Sequence, residues 1–300
     1  MQKRFQLRWE IDEQNKGKLI KQFLHEKEIS RTALTDIKFK GGNILINDAE
    51  VTVRYSLKKG DILTVIFPAE QSSEGVRGEK IPLEILFEDE FLLLVNKPAG
   101  MSTIPSREHP SGSLANGLLG YYQDRNIQAT SHIVTRLDRD TSGIVLIAKH
   151  RHVHHLFSKQ QQSGKVKRMY EAFAGGIIQE STGTIEQPIG RKLDSIIERE
   201  VRSDGQYACT HFQVLKRYTK YTHIELQLET GRTHQIRVHM AYIGHPLLGD
   251  DLYGGNDSIL KRQALHCKKL HFVHPFTGRE MDFIAPLPKD MQTILQANLD

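Results

Sequence analysis

Cysteine and tryptophan are nearly missing from this 300-residue chain, which holds two of the first and one of the second. Cys209 and Cys267 have no paired-cysteine spacing around them, so the sequence encodes neither a zinc-finger framework nor a disulfide scaffold. Long apolar runs are missing too: nothing reaches the roughly 18 residues that a membrane-crossing helix needs. The opening, MQKRFQLRWEIDEQ, is mixed-charge and lacks the apolar core of a secretory signal. These absences lead to the expectation of a cytoplasmic protein with free thiols and no membrane association. A hydrophobic fraction of 38% and a mean hydropathy of −0.44 fit a soluble globular chain, and its length suggests two domains. Acid is in deficit: the net charge is +5 and the pI near 9.0, a lean toward a polyanionic partner that many basic proteins share without binding one.

One stretch organises the rest, SHIVTRLDRDTSGIVLIAK at 131–149. Its end, Ile144 to Ala148, is short, apolar and β-branched, which predicts a buried strand. Ser142-Gly143 before it is turn chemistry. Two carboxylates and two guanidiniums, Arg136, Asp138, Arg139 and Asp140, thus sit on a loop held by a rigid element. Paired carboxylates suggest glycoside hydrolysis, but each Asp has its own Arg beside it, and an adjacent Arg keeps a carboxylate ionised where a general acid needs its proton. One permanently charged Asp with cationic support, and a loop merely pinned by surface ion pairs, both fit these residues.

Upstream, residues 17–28 show apolar residues at helical spacing, Leu19, Ile20, Phe23 and Leu24. Ser30 can cap a second helix carrying Ala33, Leu34 and Ile37, which Gly41-Gly42 ends. Asn43–Val53 alternates around Asn47-Asp48, a hairpin signal, and Ile62–Phe67 reads as a last strand. From 16 to 60 there are ten Lys and Arg against five Asp and Glu, suited to phosphates through counterion release; a solvated basic face is the plainer reading. The layout over 12–68 resembles the small alpha-L RNA-binding module of ribosomal proteins and tyrosyl-tRNA synthetases. Residues 69–80, AEQSSEGVRGEK, read as a flexible linker that leaves this module tethered without a fixed orientation.

The second domain is expected over 81–300. Lys97 leaves a strand on the turn Asn96–Gly100, where it can meet phosphate or simply cap the turn. Ser113 through Tyr122 reads as a helix. The basic run from Arg139 to Arg168, with His150, His152, His154 and His155, reads as a helix lying beside RNA or as a solvated helix end; no Cys, Asp or Glu nearby completes a zinc set with His152 and His155. Tyr170 alternates with Ala172 and Ala174 at strand period, and its ring can stack a base or sit in an ordinary core. Tyr221–Thr230 is a strand with Leu226 and Leu228 on one face. Arg232 then stands where that strand ends and a helix over Thr233–Ile243 begins, stopped by Gly244. Many short strands at regular spacing predict an α+β fold with a mixed, largely antiparallel sheet and flanking helices.

HIVTRLDRDTSGIVLIAK resembles the central motif of the RluA/RluD family of RNA pseudouridine synthases. VNKPAGMS at 95–102, KRMYEAFAGG at 167–176, LETGRTHQIRVHMAYIGHPLLGDDLYG at 228–254 and LHCKKLHFVHPFTGREMDFIAPLP at 265–288 match the same family in order. One departure is Thr135, where the family usually has His. The resemblance implies an isomerase that detaches uracil from its ribose, turns it and rejoins it through carbon, with no cofactor and no metal. It implies Asp138 as nucleophile or base, Arg232 as its ionic partner, and Tyr170 packed on uracil and serving late as a base. It also implies that Leu226 or Leu228 walls the pocket, while Arg136, Lys97, His234 and Arg237 contact substrate. The implied partner is RNA, ribosomal RNA of the large subunit first and transfer RNA second, bound by a monomer. A catalytically silent RNA-binding or ribosome-assembly factor and a uracil-releasing glycosidase are the alternatives.

Overall fold

The computed structural model describes residues 4–70, 76–106 and 109–296. The chain opens with β1 (Gln6–Glu10), α1 (Ile20–Glu26), α2 (Arg31–Phe39), β2 (Asn43–Ile46), β3 (Ala49–Glu50) and β4 (Ile62–Ile66). Ser30 Oγ accepts the Ala33 N–H at 3.1 Å and starts α2 as expected. Asn47 and Asp48, between β2 and β3, have φ of 49° and 67°; two left-handed residues give a hairpin the twist of its strands. The strands lie in the order β1-β4-β2-β3. β1 pairs with β4 from Gln6↔Ile66 to Glu10↔Ile62, so this unit includes residues before the boundary expected at 12. Ile20, Phe23, Leu24 and Ile37 of its helices are buried with Ile44, Leu63 and Val65 of its sheet.

This unit is seated on the rest of the chain, which corrects the free tether expected from 69–80. Phe5 stacks on His150 with ring centroids 4.0 Å apart, and Phe67 on His152 at 5.4 Å. The Glu70 carboxylate accepts the Arg151 backbone N–H at 2.7 Å and lies 3.0 Å from His132 Nε2. Lys159 pairs with Glu28. At the linker's other end the Asn116 amide donates to the Arg77 carbonyl, and Glu79 accepts the Gly112 N–H. The segment is poor in apolar residues, but the carboxylates of Glu70 and Glu79 meet backbone donors. The stretch 71–75 of the expected linker lies outside the described residues.

The second unit runs β5 (Ile85–Glu88), β6 (Leu92–Lys97), α3 (Leu114–Asp124), β7 (His132–Ile133), β8 (Ser142–Ala148), α4 (Arg151–Gln162), β9 (Lys167–Gly175), β10 (Thr182–Glu186), β11 (Ile189–Arg191), β12 (Arg199–Val201), β13 (Cys209–Arg217), β14 (Tyr221–Leu228), α5 (Gln235–Tyr242), β15 (Leu265–Val273), β16 (Glu280–Ile284) and α6 (Lys289–Gln296). Ten of its strands form one sheet, ordered β10-β13-β14-β9-β15-β8-β6-β5, with β16 on β15 and β7 on β8. β11 and β12 pair apart as a hairpin. The sheet is mixed and largely antiparallel with helices against it, an α+β fold as expected; β8 and β15 are its parallel pair. All seven residues of β8 are buried. Gly143 makes the β8–β15 approach possible: its φ is +115°, and a Cβ there would stand 2.3 Å from the Cys267 carbonyl oxygen. α4 buries His152, Val153 and Phe157 on one face, His152 against Phe67 and Phe157 against Phe272 of β15. No helix among the described residues is long and apolar enough to cross a membrane.

Candidate active site

The turn between β7 and β8 is held by its backbone, residue after residue. Buried Thr135 accepts the Leu146 N–H on its hydroxyl at 2.9 Å. The Thr103 hydroxyl donates to the Leu137 carbonyl at 2.6 Å. The Asp138 carbonyl accepts the Thr141 N–H, and Arg262 Nη1 donates to the Asp140 carbonyl at 3.1 Å. Lys97 Nζ donates to the Arg139 carbonyl at 3.0 Å, to Pro98 at 2.9 Å and to Met101 at 2.7 Å. Each carbonyl from 137 to 140 therefore has a donor, and Asp138 is left with its carboxylate facing an open cleft.

Lys97 corrects an expectation. It is fully buried, and its three N–H bonds end on three carbonyls, so none is left for phosphate. Burial draws its pKa down to about 7 against the pull of Asp140 and Asp138, while a full set of three acceptors is what an ammonium group satisfies. The side chain is a bolt between two loops.

The ionic partner of Asp138 is also different from the one expected. Arg237 Nη1 lies 3.4 Å from Asp138 Oδ2. Its Nε and Nη2 hold Asp250 in a two-pronged pair at 2.7 and 2.8 Å, and its guanidinium lies 5.0 Å from the centre of the Tyr253 ring. Burial alone would lower the Arg237 pKa, but the bonds to Asp250 and the charge of Asp138 outweigh it and hold it above the usual arginine value. Arg232 is exposed, and its Nε donates to the Tyr207 carbonyl at 2.9 Å. The reason is local. His234 takes a left-handed conformation, φ 56°, and α5 starts only at Gln235. Gln235 Oε1 accepts the Arg232 N–H and the Thr230 hydroxyl, which closes the loop before the helix. Arg232 is thereby turned outward, and Arg237 on the first turn of α5 faces the turn that carries Asp138.

His234 Nε2 lies 3.9 Å from Asp138 Oδ2, and its Nδ1 is 2.8 Å from the Tyr253 hydroxyl. Burial lowers its pKa, with Asp138 opposing, so the imidazole is neutral at pH 7. Tyr170 is buried in the cleft wall; burial, with the Cys267 thiol beside it, raises its pKa, so the phenol keeps its proton. Its ring is in place to pack on a flat ligand. Leu228 lines the cleft, with Leu265 and Ile236, which sequence reasoning missed. Leu226 is wholly buried, in register opposite Tyr170, and takes no part in the lining. The cleft's floor is a cavity of about 60 Å³. It opens into a groove of about 910 Å³ bordered by Arg136, Arg139, Arg168 and Arg232. The arrangement joins a carboxylate, a fixed cation behind it, a flat aromatic wall and a basic approach.

Comparison with known proteins agrees with this chemistry. Residues 91–242 match the family model described as RNA pseudouridylate synthase. The chain is 55% identical over 277 residues to a Bacillus subtilis protein named uncharacterized RNA pseudouridine synthase YjbO, covering 92% of this chain and 98% of that one. It is 39% identical over 271 residues to ribosomal large subunit pseudouridine synthase D of Pseudomonas aeruginosa, covering 85% and 84%. The solved structure of human RNA pseudouridylate synthase domain containing 1 shares the fold, with a TM-score of 0.58 at 24% identity over 74% of this chain and 96% of that one. This chain belongs to the RluA/RluD family of RNA pseudouridine synthases and is an isomerase that converts uridine in RNA to pseudouridine.

Proposed function

We infer that the substrate is large-subunit ribosomal RNA and that Asp138 is the group that attacks or deprotonates at the target ribose. The observation that carries the second part is the Asp138 carboxylate, 3.4 Å from buried Arg237, on a turn whose carbonyls are all bound. A carboxylate that must act at the ribose needs a fixed position, and a buried guanidinium behind it supplies one. Tyr170 packs on the uracil, with Leu228 and Leu265 as the apolar wall. Arg136, Arg168 and Arg232 receive phosphates of the flanking strand. A uridine leaving its stack costs a few kcal/mol, which such contacts offset. No atom is gained or lost overall: the N–glycosidic bond breaks, a carbon–carbon bond from the ribose to C5 of the same base forms, the C5 proton leaves to water, and the freed ring nitrogen takes one proton up.

Similarity to the large-subunit enzyme supports the choice of RNA. The unit around residues 12–68 serves as a second RNA contact through the groove between its two helices, bordered by Lys18, Lys21, His25 and Arg31. The test is a pseudouridine map of cellular RNA from cells with the chain, without it, and with Asp138→Asn. Loss of the same large-subunit sites in the last two carries the proposal. Loss confined to transfer RNA overturns the substrate, and a full map with Asp138→Asn overturns the residue.

A further inference from the structure

We propose that Cys209, His211 and Glu229 form a binding site for a zinc-like divalent transition-metal ion. Neither cysteine has a metal-binding spacing along the chain, because the set is assembled across strands. Cys209 and His211 are two apart on β13 and so share a face. Glu229 continues β14 opposite Cys209, its N–H donating to the Cys209 carbonyl. Tyr170, Leu226 and Leu228 belong to the other face by the same alternation.

The donor atoms of the three residues all lie within 4.8 Å of one another. Cys209 Sγ is 3.7 Å from His211 Nε2, close to the sulfur–nitrogen edge of about 3.6 Å in a tetrahedral zinc centre. Glu229 Oε1 is 2.6 Å from the same nitrogen. Glu229 satisfies that nitrogen's one hydrogen-bonding direction, and the thiol, which also hydrogen-bonds Tyr207 and Glu229, stands close to the same nitrogen. A shared cation accounts for both. The Glu229 side chain is 53% exposed and free to open by the roughly 0.8 Å that coordination requires. Thr184 Oγ1, 2.9 Å from His211 Nδ1, is the outer partner that a metal-bound imidazole needs. Glu186, in register beside Cys209 on β10, or a water can fill the fourth position. A thiolate with an imidazole and a carboxylate selects zinc and its neighbours over magnesium or calcium.

The proton count follows. The imidazole proton moves from Nε2 to Nδ1, now donating to Thr184, and the thiol proton leaves to buffer. One proton is released per ion and no redox change occurs.

The test is cobalt(II) titration of the reduced full-length protein, followed by displacement with zinc. The expected result is one equivalent of tetrahedral cobalt with a sulfur-to-metal charge-transfer band, lost in Cys209→Ser, kept in Cys267→Ala and displaced by one equivalent of zinc. Zinc affinity should drop at least tenfold in Cys209→Ser and in His211→Gln. Absence of the band in the unmodified protein, or its survival in Cys209→Ser, overturns the site. Should Cys209→Ser fail to fold, the surface change Glu229→Gln decides: a tenfold loss of zinc affinity supports the site, and unchanged affinity overturns it.

Discussion

Arg237 reaches Asp138 with one guanidinium nitrogen while its other two donor nitrogens are committed to Asp250. The acid in the cleft is thus steadied by a cation that is itself anchored by a second acid, buried to the last atom. The order of dependence runs outward from Asp250 to Arg237 to Asp138, and it separates two arginines that the sequence alone does not.

Arg237→Ala should lower kcat by about a hundredfold or more, the size of effect seen when a preorganised charge is removed from a reacting centre. Arg232→Ala should chiefly raise KM for RNA, since its side chain is exposed and bound to a carbonyl. Single-turnover rates on a synthetic RNA measure the split. Equal loss of kcat in both variants would return Arg232 to the ionic role.

Asp250→Ala should destabilise the fold by ~3–5 kcal/mol, the cost of leaving a buried charge without its partner. Urea unfolding reads it. Activity should fall as well, because Arg237 would swing toward Asp138 and close the cleft. A variant as stable as the parent would show that Asp138 alone is enough to hold Arg237.

Lys97→Met keeps length and removes three hydrogen bonds, at about 1 kcal/mol each. Loss of order in the turn should appear as a lower kcat with a nearly unchanged KM. A rise in KM with constant kcat would restore Lys97 to phosphate binding.

Acid should loosen the structure before its carboxylates titrate. His150, His152 and His266 are buried, and desolvation holds each near a pKa of about 4 against an ordinary 6.5. Between those values the unfolded chain binds protons that the folded chain refuses. Stability is therefore full above pH 6.5 and falls as pH drops toward 4, by about 1.4 kcal/mol per pH unit for each histidine. Two of the three lie under Phe5 and Phe67, so the first unit should detach early. Unfolding midpoints from pH 7 to pH 4.5 measure the slope, and His152→Phe should flatten it by one histidine's share. An unchanged slope in that variant would remove His152 from the account.

Legibility differed with distance along the chain. The strand after Ser142-Gly143 could be read because its apolar run is local, and the Ser30 cap and the Asn47-Asp48 turn were read for the same reason. The start of α5 was misplaced because His234 adopts a left-handed conformation that its residue type does not signal, and that shift of two residues exchanged Arg232 for Arg237. The role of Lys97 was hidden because one of its acceptors is supplied by Arg139, 42 residues on. The buried face of α4 was not foreseen in a helix read as lying beside RNA or as a solvated end, because the rings that cover it, Phe67 on His152 and Phe272 on Phe157, are distant in sequence. Leu226 and Leu228 share a strand face, and only their depth in the sheet tells the wall from the core.

The parallel contact of β8 with β15 has a consequence for the order in which the enzyme is made. Ser142 bonds His266, 124 residues later, and Gly143 lies against Cys267. A chain emerging from the ribosome has Asp138 long before it has the strand that seats the turn, and it has Arg237 before Asp250. Competence must arrive late, in one closing step, once β15 slides in between β8 and β9. Until then the nascent protein carries Asp138 on a turn that leads into a strand with one flank still open.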